Sequence, residues 1–473
     1  NLKEMKKIIL KANYVLLAIL ILAGCTGNFE EINTDPNNPT KVPTAYLMTN
    51  AQRAIMTQQF YFTTSLYVQH WSETQYTNTS RYETAEASFN GFYTGPLADL
   101  QQVINLNTDE DTKGEASASG SNENQIAVAK ILKVYTFQCI TDMWGEIPYS
   151  DALQGVEQFT PAYDTQDAIY ASFVQELTDA ANMIDVNAPG MEGDIIYSGD
   201  MAAWVKFANA LKMRIGIRTG DLALVNASTA GAFSSAGDDA LYPYLSDAAN
   251  DNPMWAHFLT RTDYAVSNTL VDFMEQRNDP RLTIYADDAP DSAKVVGMPY
   301  GVTAAEAGSI TNAQISFPGA ATREATTPGI LMTYAEQLFI EAEAMQRGGT
   351  DATAKYNAAV TAAMEYWGVD AADITTYLAH PDVVYNPANF EQLIGEQKWL
   401  ALYTNGTEAW AEWRRLDYPT LVKAPAAVEG REIPRRRAYT QREYDLNGAN
   451  IEAAVGRQGE DVMDTQMWWD KMN

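Results

Sequence analysis

The reactive group that stands out in this sequence is the thiol of Cys25, directly after Leu22-Ala23-Gly24. Tyr14 to Ala23 is apolar throughout, and Lys6, Lys7 and Lys11 form a basic head, with Met5 as the expected start. A basic n-region, an apolar h-region and small residues at the cut make a secretory signal. Its h-region of about ten residues is half of the roughly twenty that a helix needs to span a bilayer. Leu-Ala-Gly-Cys looks like a bacterial lipobox, in which the thiol is acylated and becomes the new N-terminus. Acyl chains contribute about 0.8 kcal/mol per buried CH₂, and stable anchoring takes more than one chain. The expectation is a signal over 1–24, a tether over 25–43 and a lipid anchor on Cys25.

Aromatic rings are the second kind of residue that could do chemistry here. Phe60 to Tyr93 holds Phe62, Trp71, Tyr76, Tyr82 and others, interleaved with Gln69, Gln75, Asn78 and Arg81. Aromatic faces beside amides and hydroxyls suit sugar rings, which offer CH faces and hydroxyl edges. Most such rings are core, because large aromatics dominate core burial. The least patterned ones, Trp71 to Tyr82, are the better site candidates. A second irregular aromatic region runs from Ser234 to Pro328 and includes Trp255, Tyr264 and Tyr300. A long irregular segment in a compact protein is usually functional.

Other chemistries lack their parts. The three histidines, His70, His257 and His380, are far apart in the chain. No HExxH, CxxC pair, Walker A loop, GxGxxG or GxSxG occurs. Asn107, Asp109 and Asp111 have the spacing of a calcium loop. Thr112 and Ala118, however, stand where the required Gly and bidentate Glu belong, so a solvated loop is expected. No metal site, cofactor or catalytic residue is assigned. The only other cysteine, Cys139, falls in an apolar helical run and is expected to be a buried free thiol. With 61 acids against 32 bases the net charge is −29. That excludes a nucleic-acid surface, which needs a basic footprint. In so acidic a chain, Arg435-Arg436-Arg437 is expected to serve as buried or interfacial partners for carboxylates.

Helices must position these groups. Apolar residues at four-residue spacing predict helices near 44–60, 125–143, 163–184, 200–218, 331–347 and 352–367, with shorter ones at 266–276, 390–403 and 408–416. Thr165 is placed to cap the third, and Trp204, Phe207, Leu211 and Ile215 form the stripe of the fourth. Residues 331–367 partly resemble a tetratricopeptide repeat, with Phe339, Ala352, Tyr356 and Ala359 on pattern positions. Such repeats stack into a superhelix.

Several phrases together resemble the SusD/RagB outer-membrane lipoproteins of Bacteroidetes, in wording closest to the second SusD-like subfamily. They are Trp144-Gly145-Glu146-Ile147-Pro148-Tyr149, Trp204 to Arg214, Asp279-Pro280-Arg281, Gln397-Lys398-Trp399, Trp413-Arg414-Arg415 and Trp468-Trp469-Asp470. The resemblance runs from the lipobox to the last residues. It implies a mainly α fold: four tetratricopeptide-like units with long irregular loop excursions, in a single domain over 44–473 with a ligand-binding excursion near 234–328. It also implies a partner, a SusC-like TonB-dependent barrel, which receives oligosaccharide from a cell-surface protein held on the outer membrane by its lipid. The acids after Cys25 resemble a surface-export signal of such lipoproteins. Members bind without catalysing, and the Trp and Arg phrases are structural.

Ligand residues are expected where the two irregular regions converge, at Trp71, Tyr76, Arg81, Tyr82, Trp255, Tyr264 and Tyr300. A peptide binder of the same kind of importer is the alternative and predicts more polar, backbone-reading contacts. A lipid-anchored glycosidase would need a carboxylate pair set at catalytic spacing in a cleft, and the resemblance argues against it.

Overall fold

The computed structural model of the chain describes residues 2–7, 42–59, 62–83 and 87–472. Residues 2–7 are helical and belong to a unit, Asn1–Pro43, separate from the body, Thr44–Asn473. The expected anchor, Cys25, lies outside the described residues. No helix among the described residues is long and apolar enough to cross a membrane.

The body is mainly helical, as its apolar spacing predicts. Its principal helices are α1 (Thr44–Gln59), α2 (Ala98–Thr108), α3 (Asn122–Trp144), α4 (Gln166–Met183), α5 (Met201–Arg218), α6 (Leu222–Thr229), α7 (Pro253–Phe258), α8 (Asn268–Gln276), α9 (Tyr334–Arg347), α10 (Thr353–Glu365), α11 (Phe390–Ala401), α12 (Gly406–Leu416) and α13 (Gln441–Gln458). Consecutive helices pack as pairs: α3 with α4, α5 with α6, α9 with α10 and α11 with α12. On α5 the stripe of Trp204, Phe207, Leu211 and Ile215 is buried. Each such side chain contributes about 1.5–3 kcal/mol on leaving water. Phe339, Ala352, Tyr356 and Ala359 are fully buried in one cluster between α9 and α10, which is the packing that the repeat pattern requires.

Local chemistry moves several boundaries. Ser121 caps α3 by accepting from the Asn124 amide, so the helix starts earlier than 125. Gly145 ends it at φ +88°, where an added Cβ would run into the Gln458 side chain. Tyr163 and Asp164 do not open α4; they form a strand, β3, paired antiparallel with β2 (Ile147–Pro148). Thr165 stands at the α4 N-cap but makes no side-chain capping bond. A four-residue strand, β6 (Gly329–Met332), precedes α9 and pairs with β4 (Ala240–Tyr242). Asn107 to Asp111 is the end of α2 and a turn, in which the Asp111 amide donates to Asp109 at 2.8 Å.

A buried ion network ties the helix pairs together. Arg214 of α5 meets Glu336 of α9 at 2.7 Å, and Arg218 of α5 meets Asp142 of α3 at 2.5 Å. Arg218 also reaches Glu408 and Glu412 of α12. Arg415 joins Glu412 to Glu343 of α9, and Lys398 of α11 joins Glu412 at 2.8 Å. Burial of such charges is tolerated only when they are paired and hydrogen-bonded. The arginine run also finds partners: Arg435 meets Asp417 and Asp470, and Arg436 meets Asp461 at 3.0 Å. Arg437 is buried against the Trp144 ring. Cys139 is a buried free thiol, pushed up to about 12 by burial.

Candidate functional site

A short ladder brings the two irregular aromatic regions together. Strand β1 (Trp71–Glu73) pairs antiparallel with β5 (Tyr264–Val266), setting Trp71 opposite Val266 and Glu73 opposite Tyr264. Beyond the ladder the pairing continues through side chains and turns. The Thr74 amide donates to the Asp263 carbonyl at 2.8 Å, and the Thr74 hydroxyl donates to the Thr262 carbonyl at 2.7 Å. The Asp263 carboxylate accepts from both Gln75 Nε2 and Arg261 Nε. Loop 74–82 and residues 261–263 are thereby held side by side.

The seven candidate residues then divide. Tyr76 is 68% exposed and Trp255 is 37% exposed, so their rings are open to a ligand. Tyr264 is half-buried: its ring stacks on Phe62 and lies 5.0 Å from His257. Arg81 is half-buried, with Nε donating to the Ala426 carbonyl at 2.8 Å. Trp71, Tyr82 and Tyr300 are buried. Trp71 Nε1 donates to the Tyr403 hydroxyl at 3.1 Å. The Tyr82 hydroxyl accepts from the Ala424 amide at 3.0 Å. These three rings form the buried floor of the region and are closed to the outer surface.

Two groupings result. Trp71, Tyr264, Phe62 and His257 form one aromatic cluster. Arg81, Tyr82 and Tyr300 gather around residues 424–428, to which Gly301 also packs closely. That third segment carried no aromatic or charge signal in the sequence. Asp263, the acceptor common to both loops, was equally silent, since one acid among 61 marks nothing. The positive φ of Tyr76 and Tyr82, 56° and 65°, shows how tightly loop 74–82 turns; for a bulky residue that conformation costs energy.

Electrostatically the surface is quiet. Arg261 is exposed and is held on Asp263. Burial lowers the His257 pKa against the opposing pull of Asp263. Burial also pushes Tyr264 up to about 12, so its hydroxyl stays a neutral donor and acceptor. Among the described residues no group of His, Cys, Asp and Glu could hold a metal ion. The arrangement offers ring faces, amides, hydroxyls, Arg81 and the Asp263-paired Arg261, a set suited to uncharged polar ligands.

The chain belongs to the SusD-like family: the family model described as "Starch-binding associating with outer membrane" matches residues 36–440. Solved structures agree over nearly the whole fold. A chitin-binding protein matches with a TM-score of 0.76 at 25% identity, covering 90% of this chain and 99% of its own. A SusD homolog from Bacteroides uniformis matches with a TM-score of 0.79 at 23% identity, over 90% and 99% of the two chains. A chitin-binding SusD homolog from Flavobacterium johnsoniae matches with a TM-score of 0.75 at 22% identity, over 90% and 97%. Among curated proteins none matches.

Proposed function

We propose that this chain is the surface-exposed binding lipoprotein of a glycan importer. It captures neutral oligosaccharides on the surface around Tyr76, Trp255 and Tyr264 and passes them to a SusC-like TonB-dependent barrel. The observation that carries the reading is the β1–β5 ladder, which places exposed or half-exposed rings of two distant segments next to Gln75 and Arg261. Sugar recognition needs this mixture of apolar face and hydrogen-bonding edge. The family description and the chitin-binding relatives support it. Cys25 supplies the lipid that holds the protein at the outer membrane, and binding proceeds without turnover.

A panel of neutral oligosaccharides and of unstructured peptides, titrated calorimetrically against the chain from Thr26 onward, tests this. Saturable binding to an oligosaccharide that remains intact supports the reading. Binding confined to peptides would move the protein to the peptide-importing alternative. Cleavage of the sugar, abolished by a single Asp or Glu substitution, would make it an enzyme.

A further inference from the structure

A half-enclosed cavity lies where the helical body meets the excursion, with Trp71 in its wall. It contains about 40 Å³ of water-sized space, room for roughly three waters at about 10–15 Å³ each. Met56, Trp71 and Met254 give it apolar sides, and among the described residues no charged residue lines it. That is notable in a chain with 61 acids and 32 bases. Two of its hydroxyls, those of Tyr244 and Thr404, are buried without a hydrogen-bond partner among the described residues. Tyr244 is only 7% exposed. Buried polar groups left in this state carry their full desolvation cost. Neighbouring amides do not relieve them, being engaged elsewhere: Gln59 donates to Asn405, and Asn252 donates to the Thr327 carbonyl. Gly329 keeps the space open, because a Cβ there would stand 2.5 Å from Met56 Cε and 3.2 Å from Tyr244 Cε2.

We infer that this cavity is a second binding site, for a small neutral polyol. The occupant is either a free molecule of glycerol size or one hydroxyl-bearing arm of a longer sugar. An uncharged wall offers no counterion, so an ionic guest would lose hydration without compensation. Each orphan hydroxyl can both donate and accept, which suits guest hydroxyls. Three such hydroxyls replace about three waters, and the carbon skeleton lies against Trp71 and the methionines. The site stands apart from the surface reading, and free polyol binding here would survive a failure of oligosaccharide binding at Tyr76 and Trp255.

The test uses ¹⁹F NMR on the chain from Thr26 onward, labelled with 5-fluorotryptophan, with the Trp71 resonance assigned through Trp71→Phe. One arm titrates glycerol, the second a neutral oligosaccharide, and the third betaine as an osmolyte without hydroxyls. The expected result is a saturable shift of the Trp71 resonance, with apparent affinity about three- to ten-fold weaker in Tyr244→Phe, the loss of one ordinary hydrogen bond. Gly329→Ala should weaken it further by filling the space. Should that variant fail to fold, Tyr244→Phe still decides, since it removes a single oxygen. A shift with glycerol identifies the free polyol; a shift with the oligosaccharide alone identifies the sugar arm. A linear response matched by betaine, a response unchanged in Tyr244→Phe, or no response in the first two arms overturns the proposal.

Discussion

The ring of Tyr264 stacks on that of Phe62, with centroids 4.3 Å apart and planes 17° apart. The two residues are far apart in the chain, and the contact exists because β5 pairs with β1, which begins nine residues after Phe62. Near-parallel aromatic pairs contribute about 0.5–1.5 kcal/mol beyond the area that they bury. The stack therefore fixes Tyr264 as a rigid platform beside the exposed Tyr76 loop. Rigidity matters for sugar binding, since ordering a loose loop would consume affinity.

Trp71 and Trp255 should part company under substitution. Trp71→Ala removes a fully buried ring and should cost about 3–5 kcal/mol, read as a lower urea midpoint. Trp255→Ala, at a partly exposed ring, should stay within about 0.5 kcal/mol of wild type. Equal destabilisation by the two would contradict the division into floor and surface.

The ion network predicts a second stability effect. Arg218→Ala removes the guanidinium that pairs with Asp142 and Glu408 in the interior and one of the three cations around Glu412. Breaking a buried pair in this way typically costs about 3–5 kcal/mol. Thermal unfolding should show a large drop in Tm, whereas substitution of an exposed pair such as Lys423–Glu432 should leave Tm nearly unchanged.

His70 makes stability fall on the acid side. It is fully buried against Trp399, its Nε2 facing the Trp399 carbonyl at 3.0 Å, and burial lowers its pKa to about 3. In the unfolded chain an ordinary histidine takes up its proton near pH 6.5. Between those two values the unfolded state therefore binds more protons, and stability drops by up to about 1.4 kcal/mol per pH unit. Above pH 6.5 the group contributes no slope. His70→Gln should flatten the curve of unfolding free energy between pH 6.5 and 4; identical slopes in the two proteins would refute this.

In the proposed function the anchor is the lipid carried by Cys25. Cys25→Ala should release the protein from the membrane fraction or leave its signal uncleaved. A variant that is cleaved yet still pellets with membranes as fully as wild type would remove the lipid from the account.

Much of the helical frame was legible because burial on a helix repeats. The stripe Trp204, Phe207, Leu211 and Ile215 could be read directly, and so could the pairing of Phe339 with Tyr356. Other elements leave no such mark. Helix α13 contains Gly448, Gly456 and a kink at Asn447 with φ −139°, and few apolar residues, so its periodicity is faint. Strands of two or three residues, such as Tyr163–Asp164, are too short for alternation to register. At the site, the convergence of the two aromatic regions was readable, because both lack helical spacing. Which rings face solvent was not: loss of periodicity also marks chain that wraps over the helices and buries its rings, as Trp71, Tyr82 and Tyr300 do. Asp263 and residues 424–428 act through single hydrogen bonds, for which the sequence carries no pattern.

In the proposed function the surface carrying Tyr76 and Trp255 binds a neutral oligosaccharide. The most direct test is calorimetric titration of the best-binding oligosaccharide into wild type and into the Tyr76→Ala, Trp255→Ala double variant, with melting recorded on the same samples. Each aromatic platform should contribute about 1 kcal/mol, the low end for aromatic stacking, so Kd should rise roughly 25-fold at unchanged Tm. Unchanged affinity in a folded double variant would contradict the account and place the ligand elsewhere on the molecule.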